Sequence, residues 1–491
     1  MTKPQIIHNK HLALKKALHI SLLVTIVLVA LATRLYRIDT PLADFHSWRQ
    51  ADTAAVARNY VRDGINLLRP TYDDLSNIQS GEENPEGLRM VEFPLYNAAI
   101  ASLAPMVPLP IEQIGRLIAV ACSIIILLVI YSITKQEIDE ATALIAAALY
   151  AVLPFSIFFS RVVLPETPAL AMVFLTLYSL YNYTKGKSLT YLWYAVAVVC
   201  AACALLIKPT TIFFYIAFGY LFIRKHAWKL FQSWQPYVFV VLTIAPLIWW
   251  RTYIAQFPEG IPASEWLITS INTGGGMERI FMRPSFFRWI FYERITNIIL
   301  GGLMFPFLVI GAITRQRSHF LYSILISSMV YLIVFQGGNV QHEYYQTLII
   351  PAIVIFTAYG IRSIFNVHLK KIYMLPAVIA VIACTGLALF VSYQRVKTYY
   401  DYPEELVQIA SVIDSVTTRE DKIVTDTLGD TTLLYLSDRR GAPAVFDDLT
   451  KLKAKGYRYF ITQNGDVIKK IKAEEPFEVM FESNKFAIFR L

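Results

Sequence analysis

A cluster of ionisable and aromatic side chains lies early in the chain, in the stretch ADFHSWRQADTAAVARNYVR between Ala43 and Arg62. From Ser47 onward the apolar positions recur about every 3.6 residues, which predicts a helix. A carboxylate here can accept a proton, the guanidinium groups can hold an anion, and an acid is favoured just before a helix N-terminus. A plainer interpretation is a capped helix with solvated arginines. The candidate residues of this stretch are Asp44, His46, Trp48, Arg49, Asp52 and Arg58.

The composition places these residues beside a membrane. The 491 residues are 56% hydrophobic and 16% charged, whereas about 25% of the residues in a soluble domain are charged. The excess of hydrophobic residues lies in long apolar runs. Placing ionisable groups beside such runs costs free energy, so their presence there indicates a function. The net charge of +9 comes from basic residues in short loops between apolar runs, which is typical of membrane topology signals. All four cysteines fall in apolar segments, which argues against a disulfide framework.

The apolar segments predict about 11 membrane crossings, each near the roughly 20 residues that a crossing needs. A lysine-rich start puts the N-terminus in the cytoplasm, and a large first outer loop, residues 36–112, follows the first span. Its proline-broken stretch 93–110 either crosses the membrane or dips in and returns. If it does not cross, the basic turns between later spans all face the cytoplasm and the C-terminus lies outside. The predicted spans are 17–35, 114–133, 141–159, 166–183, 190–207, 209–223, 236–254, 296–313, 319–336, 344–365 and 372–392.

This topology brings acids, histidines and a lone lysine to the outer face. The loop with Arg161 and Glu166, the Lys208 turn, a loop of residues 255–294 and the passage 337–345 join the first outer loop there. Snorkelling at a helix end is the ordinary explanation for Lys208, and an acid at a helix start is ordinary for Glu166. Their convergence instead predicts a site for a phosphorylated substrate embedded in the membrane.

After Tyr393 the composition changes to that of a soluble domain of about 95 residues, a size that supports its own core. Strand-like runs alternate with helical patterns there, and no glycine-rich phosphate loop is found, so we predict a small α/β domain without a nucleotide site. The predicted domains are therefore a transmembrane domain, residues 1–393, and an extracytoplasmic domain, residues 394–491. The strand-like runs are 422–427, 457–462, 477–481 and 485–490, and the helical ones are 404–415 and 449–455.

Several short motifs follow one another along the chain. They are Asp44 before a helix that ends near Arg58, the E-x-P-L-Y passage from Glu92 to Tyr96, the R-x-x-x-x-E loop from Arg161 to Glu166, and LLIKP from Leu205 to Pro209. Taken in order, they resemble the GT-C glycosyltransferases, and the nearest branch is family 39, with the protein O-mannosyltransferases and the aminoarabinose transferases that modify lipid A. Two further signatures, HSWRQADTA from His46 and HEYY from His342, are similar to a bacterial subgroup of that family. The likeness covers most of residues 17–392 and implies an α-helical polytopic membrane protein of GT-C type.

The resemblance implies an inverting glycosyltransferase that moves a sugar from a polyprenyl-phosphate donor, such as undecaprenyl phosphate, to an extracytoplasmic lipid, glycan or protein. It implies a multi-pass protein of the bacterial inner membrane, with the site and the C-terminal domain on the periplasmic face. The family's base is an acid in the first outer loop, which corresponds to Asp44. Because that acid usually stands closer to the helix arginine, Asp52 remains a rival.

The resemblance also implies which residues contact the donor phosphate and the substrate. The chain departs from the aminoarabinose branch at Phe93, where that branch has a lysine, so another cation would hold the phosphate here. The implied donor-phosphate ligands are Arg49, Arg58, Arg161 and Lys208, and the implied substrate contacts are His46, Trp48, Asp52, Glu92, Tyr96, Glu166, His342, Glu343 and Tyr345.

No metal site is predicted from the sequence. His342 and Glu343 are adjacent, and local ligands cannot complete a coordination sphere, so a hydrogen-bonded helix entry is favoured over a metal. A divalent cation stays open as a cofactor only if the loops that carry Asp44 and His46 meet this pair.

Other function classes fit the sequence less well than a transferase does. A transporter or flippase of lipid-linked sugars is the main alternative, and it predicts internal repeats and charges near the bilayer midplane. No repeat is found, and the charges gather at one face. A membrane-anchored sensor or scaffold would not explain why ionisable residues are concentrated in the first outer loop. A hydrolase of lipid-linked sugars would need a base and a water but no acceptor pocket.

Overall fold

The computed structural model describes residues 3–186, 189–262, 280–315, 318–366, 371–474 and 477–491. Within them the chain is mainly helical, and a five-stranded sheet lies near the C-terminus. Part of the predicted outer loop 255–294 lies outside the described residues, as do parts of three predicted basic turns, at residues 187, 316–317 and 368–370.

The helices of the first half of the chain follow the predicted spans closely. Prolines set the breaks between them, because a residue before proline is pushed out of the helical region. Leu153 and Lys208 are accordingly extended, and each precedes a proline that starts a new helical turn. These helices are α1 (Lys3–Arg34), α2 (Ser47–Asp63), α3 (Leu95–Leu103), α4 (Ile111–Glu137), α5 (Glu140–Val152), α6 (Pro154–Phe159), α7 (Glu166–Thr184), α8 (Thr190–Ile207), α9 (Tyr215–His226) and α10 (Trp234–Ile254).

The second half of the membrane part is more broken. A π-helix covers Arg288–Ile299, and 3-10 turns cover Pro209–Phe214, Ala227–Gln232, Pro258–Gly260, Ile280–Met282, Glu343–Ile349 and Lys397–Tyr400. The α-helices here are α11 (Pro284–Phe287), α12 (Phe305–Ile313), α13 (His319–Val334), α14 (Gln336–Gln341), α15 (Ile350–Asn366) and α16 (Lys371–Val396).

Six segments of the described residues are long and apolar enough to cross a membrane. The chain is therefore multi-pass, while the number of about 11 crossings stays a prediction. The stretch 93–110 contains α3, which has 9 residues and so is about 14 Å long, too short to cross a hydrocarbon core of about 30 Å. The six segments are Leu14–Arg34, Ile111–Glu137, Thr190–Ile207, Trp234–Ile254, Glu343–Phe365 and Ile372–Val416.

The C-terminal part forms the small α/β unit that the sequence predicts. Its sheet has the order β2-β1-β3-β5-β4, in which β1 is parallel to β2 and β3, and β5 is antiparallel to β3 and β4. Separate apolar clusters pack on its two sides. The boundary at residue 393 stays a prediction, since α16 continues past it to Val396. The elements are α17 (Glu404–Val416), β1 (Lys422–Thr425), α18 (Thr432–Leu436), β2 (Gly441–Ala442), α19 (Leu449–Ala454), β3 (Tyr457–Thr462), α20 (Gly465–Glu474), β4 (Glu478–Glu482) and β5 (Ala487–Arg490).

Helix α2 lies between the two parts of the molecule. Its alanine-rich face is buried with α3 and α4 in a separate apolar cluster, and its other contacts include α18 of the C-terminal unit. Small side chains let these backbones approach closely. As a result, Arg49, Asp52 and Arg58 of α2 face protein rather than open solvent, whereas Arg62 and Asp63 at its end are exposed.

Candidate functional site

Asp44 lies in a closed ion-pair cluster, which we call the Asp44 cluster: Asp44, Gln50, Arg116 and Arg161. Arg161 Nη2 donates to Asp44 Oδ2 at 2.8 Å, and Gln50 Nε2 donates to Oδ1 at 2.6 Å. Arg116 Nη2 lies 3.5 Å from Oδ2, and the Asp44 and Arg116 side chains are 0% exposed. Arg161 and Arg116 also donate to backbone carbonyls of the segment 37–40. The cluster therefore ties the start of the first outer loop to the membrane helices.

A second cluster joins three of the predicted loops. Arg49, in the first turn of α2, donates through Nη2 to both carboxylate oxygens of Glu92, at 2.5 and 2.6 Å. Lys208 Nζ lies 3.1 Å from Glu92 Oε1 and 2.6 Å from Glu166 Oε1. Burial by itself raises the pKa of Glu92, but the charges of Arg49 and then Lys208 lower it by a larger amount. The net pKa lies below its usual value, so this carboxylate is ionised.

A cavity opens beside this second cluster. Its polar wall includes Arg49, Asp52, Arg89 and Glu92, and much of the rest of its lining is apolar or aromatic. Arg89 Nη2 lies 2.9 Å from Asp52 Oδ2 and covers that carboxylate, whose side chain is 0% exposed. Asp44 and Arg161 are not among the lining residues. We call Arg49, Asp52, Arg89, Glu92, Glu166 and Lys208 the cavity cluster.

The predicted histidine and aromatic residues extend the cavity cluster. His46 Nε2 lies 3.0 Å from Glu343 Oε2, and Arg294 Nη2 lies 3.2 Å from Glu343 Oε1. Lys208 Nζ stands 5.0 Å from the centre of the Tyr345 ring. Through Lys208, the segment that carries Glu343 and Tyr345 is therefore linked to Glu92 and Glu166. His46 adopts φ 58 at the N-cap of α2, a left-handed conformation in which histidine is several-fold enriched.

His342 lies between rings rather than in a metal site. Its ring stacks on Tyr344 at 5.2 Å and stands 5.8 Å from Trp48. Burial, and then the neighbouring His46, lower the pKa of His342 to about 4, which keeps it neutral near pH 7. Within the described residues no group of three or more His, Cys, Asp or Glu side chains is arranged to hold a metal ion.

Two predicted residues have other partners. Arg58 Nη2 lies 2.5 Å from Asp73 Oδ2 and Nη1 lies 3.2 Å from Asp438 Oδ1, so it joins the first outer loop to the C-terminal unit. Tyr96 lines the cavity, but its hydroxyl donates to the Gly115 carbonyl at 2.7 Å. The structure thus brings the predicted substrate contacts and two predicted phosphate ligands together, and it leaves Arg58, Arg161 and Asp44 elsewhere. The roles assigned to all these residues stay predictions.

Several residues of these clusters are absent from the sequence-based set. Arg116 had a usable signal, because an arginine in the apolar run of α4 is costly unless it is paired. Arg294 and Arg89 lie in stretches without clear periodicity, and no spacing rule connects them to Glu343 or Asp52. Thr431 donates to Asp52 Oδ1 at 2.7 Å from the far end of the chain, which no local pattern indicates.

The comparisons with known proteins agree with this architecture. The family model of dolichyl-phosphate-mannose-protein mannosyltransferase matches residues 94–250. The fold is similar to that of ArnT from Cupriavidus metallidurans bound to undecaprenyl phosphate, with a TM-score of 0.64 and 12% identity over 95% of this chain and 97% of that chain.

A second similar structure is the archaeal oligosaccharyltransferase AglB from Archaeoglobus fulgidus in complex with an inhibitory peptide and a dolichol-phosphate. It has a TM-score of 0.59 and 12% identity over 93% of this chain and 70% of that chain. No curated protein sequence matches significantly. The structural likenesses show the fold, and the family model covers part of the same membrane domain. The chain therefore has the fold of the GT-C glycosyltransferases, as its sequence motifs predict.

Proposed function

We propose that the protein is an inverting glycosyltransferase that takes a sugar from a polyprenyl-phosphate donor at the cavity cluster. The observation that carries the proposal is the cavity itself, where two arginines and two carboxylates share a wall with apolar side chains. A lipid-linked sugar phosphate needs these three environments together. The ArnT and AglB structures contain undecaprenyl phosphate and dolichol-phosphate respectively, and we extend the class of ligand to this chain.

The proposed reaction is a single displacement. A lone pair on an acceptor hydroxyl or amine forms a bond to the anomeric carbon, while the bond from that carbon to the phosphate oxygen breaks. The bonding pair leaves with the phosphate, and a carboxylate of the protein takes the acceptor's proton. One displacement of this kind inverts the anomeric configuration.

The cations of the cavity cluster suit the leaving phosphate. Breaking the bond converts a phosphodiester into a phosphomonoester, so about one negative charge develops on its oxygens, and fixed cations stabilise that charge most in the transition state. Arg49, Arg89 and Lys208 are each paired with a carboxylate of the protein. A bound phosphate competes for these cations, and Arg89 in particular would uncover Asp52 when it turns to the phosphate.

Two aspartates are candidates for the base, and their surroundings differ. Asp44, to which the resemblance assigns this role, is enclosed by Arg161, Arg116 and Gln50. Asp52 instead forms part of the cavity wall. We infer that Asp52 takes the proton, because it reaches the cavity once a single arginine moves.

The aromatic group beside the cavity cluster suits the sugar. Trp48 is half-buried near His342, and His342 stacks on Tyr344. Flat rings of this kind pack on sugar rings and on prenyl chains. We place the site at the outer face of a bacterial inner membrane, where a lipid-linked donor serves and a nucleotide sugar is absent.

The test uses the purified full chain, radiolabelled polyprenyl-phosphate sugars and a membrane extract as the acceptor pool. We expect wild type to transfer label from at least one donor to an acceptor that can then be identified. If no donor supports transfer, and labelled lipid instead crosses the bilayer of liposomes that contain the protein, the protein is a flippase and the proposal is wrong.

A further inference from the structure

The C-terminal unit is attached directly to the first outer loop. Gly441 at the edge of the sheet donates to the Asp73 carbonyl at 2.8 Å, and its own carbonyl accepts from Leu75 N at 2.7 Å. A short stretch of the outer loop thus extends the sheet beyond β2 as a parallel bridge. A Cβ at Gly441 would stand 1.8 Å from the Ile423 carbonyl oxygen, so only glycine fits there.

Ion pairs also attach the C-terminal unit to α2. Arg62 Nη2 lies 2.5 Å from Asp438 Oδ2, and Arg58 lies between Asp438 and Asp73 with its guanidinium 4.4 Å from the centre of the Tyr435 ring. Arg58 is largely buried, so these pairs are worth more than exposed ones. The C-terminal unit is therefore held against the helix that carries Arg49 and Asp52.

The contact nearest the cavity comes from the residues that begin α18. Thr431 Oγ1 donates to Asp52 Oδ1 at 2.7 Å and also lies 3.2 Å from the Trp48 carbonyl oxygen. The next hydroxyl, that of Thr432, lies 2.9 Å from Ser47 Oγ. Thr431 is 2% exposed and Asp52 is 1% exposed, so water does not compete for this hydrogen bond.

We propose that the C-terminal domain completes the transferase site, with Thr431 as a positioning residue for Asp52. The inference rests on the proposed function. The hydroxyl occupies Oδ1 and fixes the rotation of the carboxylate, so that Oδ2 is directed at Arg89 and the cavity. Without this bond the carboxylate can rotate away from the cavity.

The test compares Thr431→Val, which keeps the shape and removes the hydroxyl, with Thr431→Ser, which restores it. We expect Thr431→Val to lower kcat at least about 10-fold with little change in the KM for the donor, as loss of a hydrogen bond to a charged group implies. Thr431→Ser should return kcat towards wild type. Thr432→Val is the matched control, because it removes a neighbouring hydroxyl that does not touch Asp52.

A second measurement tests the contact without activity. The thermal unfolding midpoints of Thr431→Val, Asp52→Asn and the double variant form a cycle, and the two single shifts should not add. Additive shifts would overturn the inference. An active wild type with unchanged kcat in Thr431→Val would overturn this role of Thr431 alone. A wild type that transfers no sugar would overturn the proposed function, and this role with it.

Discussion

The Asp44 cluster and the cavity cluster are built from the same residue types but are used differently. In the Asp44 cluster both arginines are 0% exposed and also donate to backbone carbonyls. In the cavity cluster the Arg49 and Arg89 side chains are 8% and 10% exposed, and their guanidinium groups donate to the side chains of Glu92 and Gln79. The first arrangement fixes a loop, whereas the second presents cations that a ligand can take over.

This difference teaches that burial of a charge does not by itself indicate catalysis. A buried arginine bonded to backbone carbonyls cannot turn to a substrate without leaving those acceptors unpaired, which costs about 1–3 kcal/mol for each group. An arginine that is paired with a carboxylate beside a cavity can exchange that carboxylate for the phosphate of a ligand, and it keeps an anionic partner throughout. Substitutions in the cavity cluster should therefore lower activity, and substitutions in the Asp44 cluster should lower stability.

Among the cations, the largest expected effect on transfer is that of Arg49→Ala. Removing one cation that stabilises the leaving phosphate should lower kcat about 100- to 1,000-fold, as loss of a single preorganised donor does in other enzymes. The initial rate of sugar transfer at saturating donor measures this loss.

The matched control is Arg69→Ala. Arg69 is also an arginine of the first outer loop, but it is 42% exposed and pairs with the exposed Glu86. Its removal should leave kcat within about twofold of wild type, since exposed pairs contribute little. Equal losses in the two variants would mean that the cavity cluster has no special part in transfer.

The next effect is on stability and concerns Arg161→Ala. This change leaves the buried Asp44 carboxylate with Arg116 as its remaining cation, and breaking a buried pair costs about 3–5 kcal/mol. Thermal unfolding in detergent should show a large drop in the midpoint. The double variant with Asp44→Asn should recover part of this loss, because it removes the uncompensated charge. If the double variant is less stable than Arg161→Ala, the ion-pair account of this cluster is wrong.

The smallest effect is a pH dependence that arises from His342. The pKa of this histidine falls from 6.5 to about 4 in the folded protein, so the unfolded chain binds the proton more readily. Its contribution to stability is therefore fully present above pH 6.5 and falls as the pH drops towards 4. The unfolding midpoint of His342→Gln should lack this part of the decline. Parallel curves for wild type and variant between pH 4 and 7 would contradict the assignment.

Much of the membrane part could be predicted because apolar length and basic turns are local signals. The same topology brought Glu92, Glu166 and Lys208 to one face before any distance was known, and the structure joins them through Lys208 Nζ. The four predicted strands are present, while β2 has only two residues and leaves almost no pattern in the sequence.

The partners of individual charges could not be predicted, because they depend on packing between distant segments. Arg58 is part of a motif that resembles the family, yet it binds Asp438 of the C-terminal unit. Asp44 precedes α2 as expected, but its enclosure depends on Arg161 and on Arg116, which lies in another helix. Sequence reasoning identified residues that gather at one face, and only the fold distinguishes a cavity wall from a closed ion pair.

The central claim is that transfer occurs at the cavity cluster with Asp52 as the base, and one comparison tests it most directly. Sugar transfer by Asp52→Asn and by Asp44→Asn is measured at equal amounts of folded protein, with donor affinity measured alongside. Loss of a general base should lower kcat by about 100- to 10,000-fold in Asp52→Asn with donor affinity kept, while Asp44→Asn stays within about 10-fold of wild type and unfolds at a lower temperature. Near-normal transfer by Asp52→Asn, with transfer abolished in a folded Asp44→Asn, would contradict the account and assign the base to Asp44.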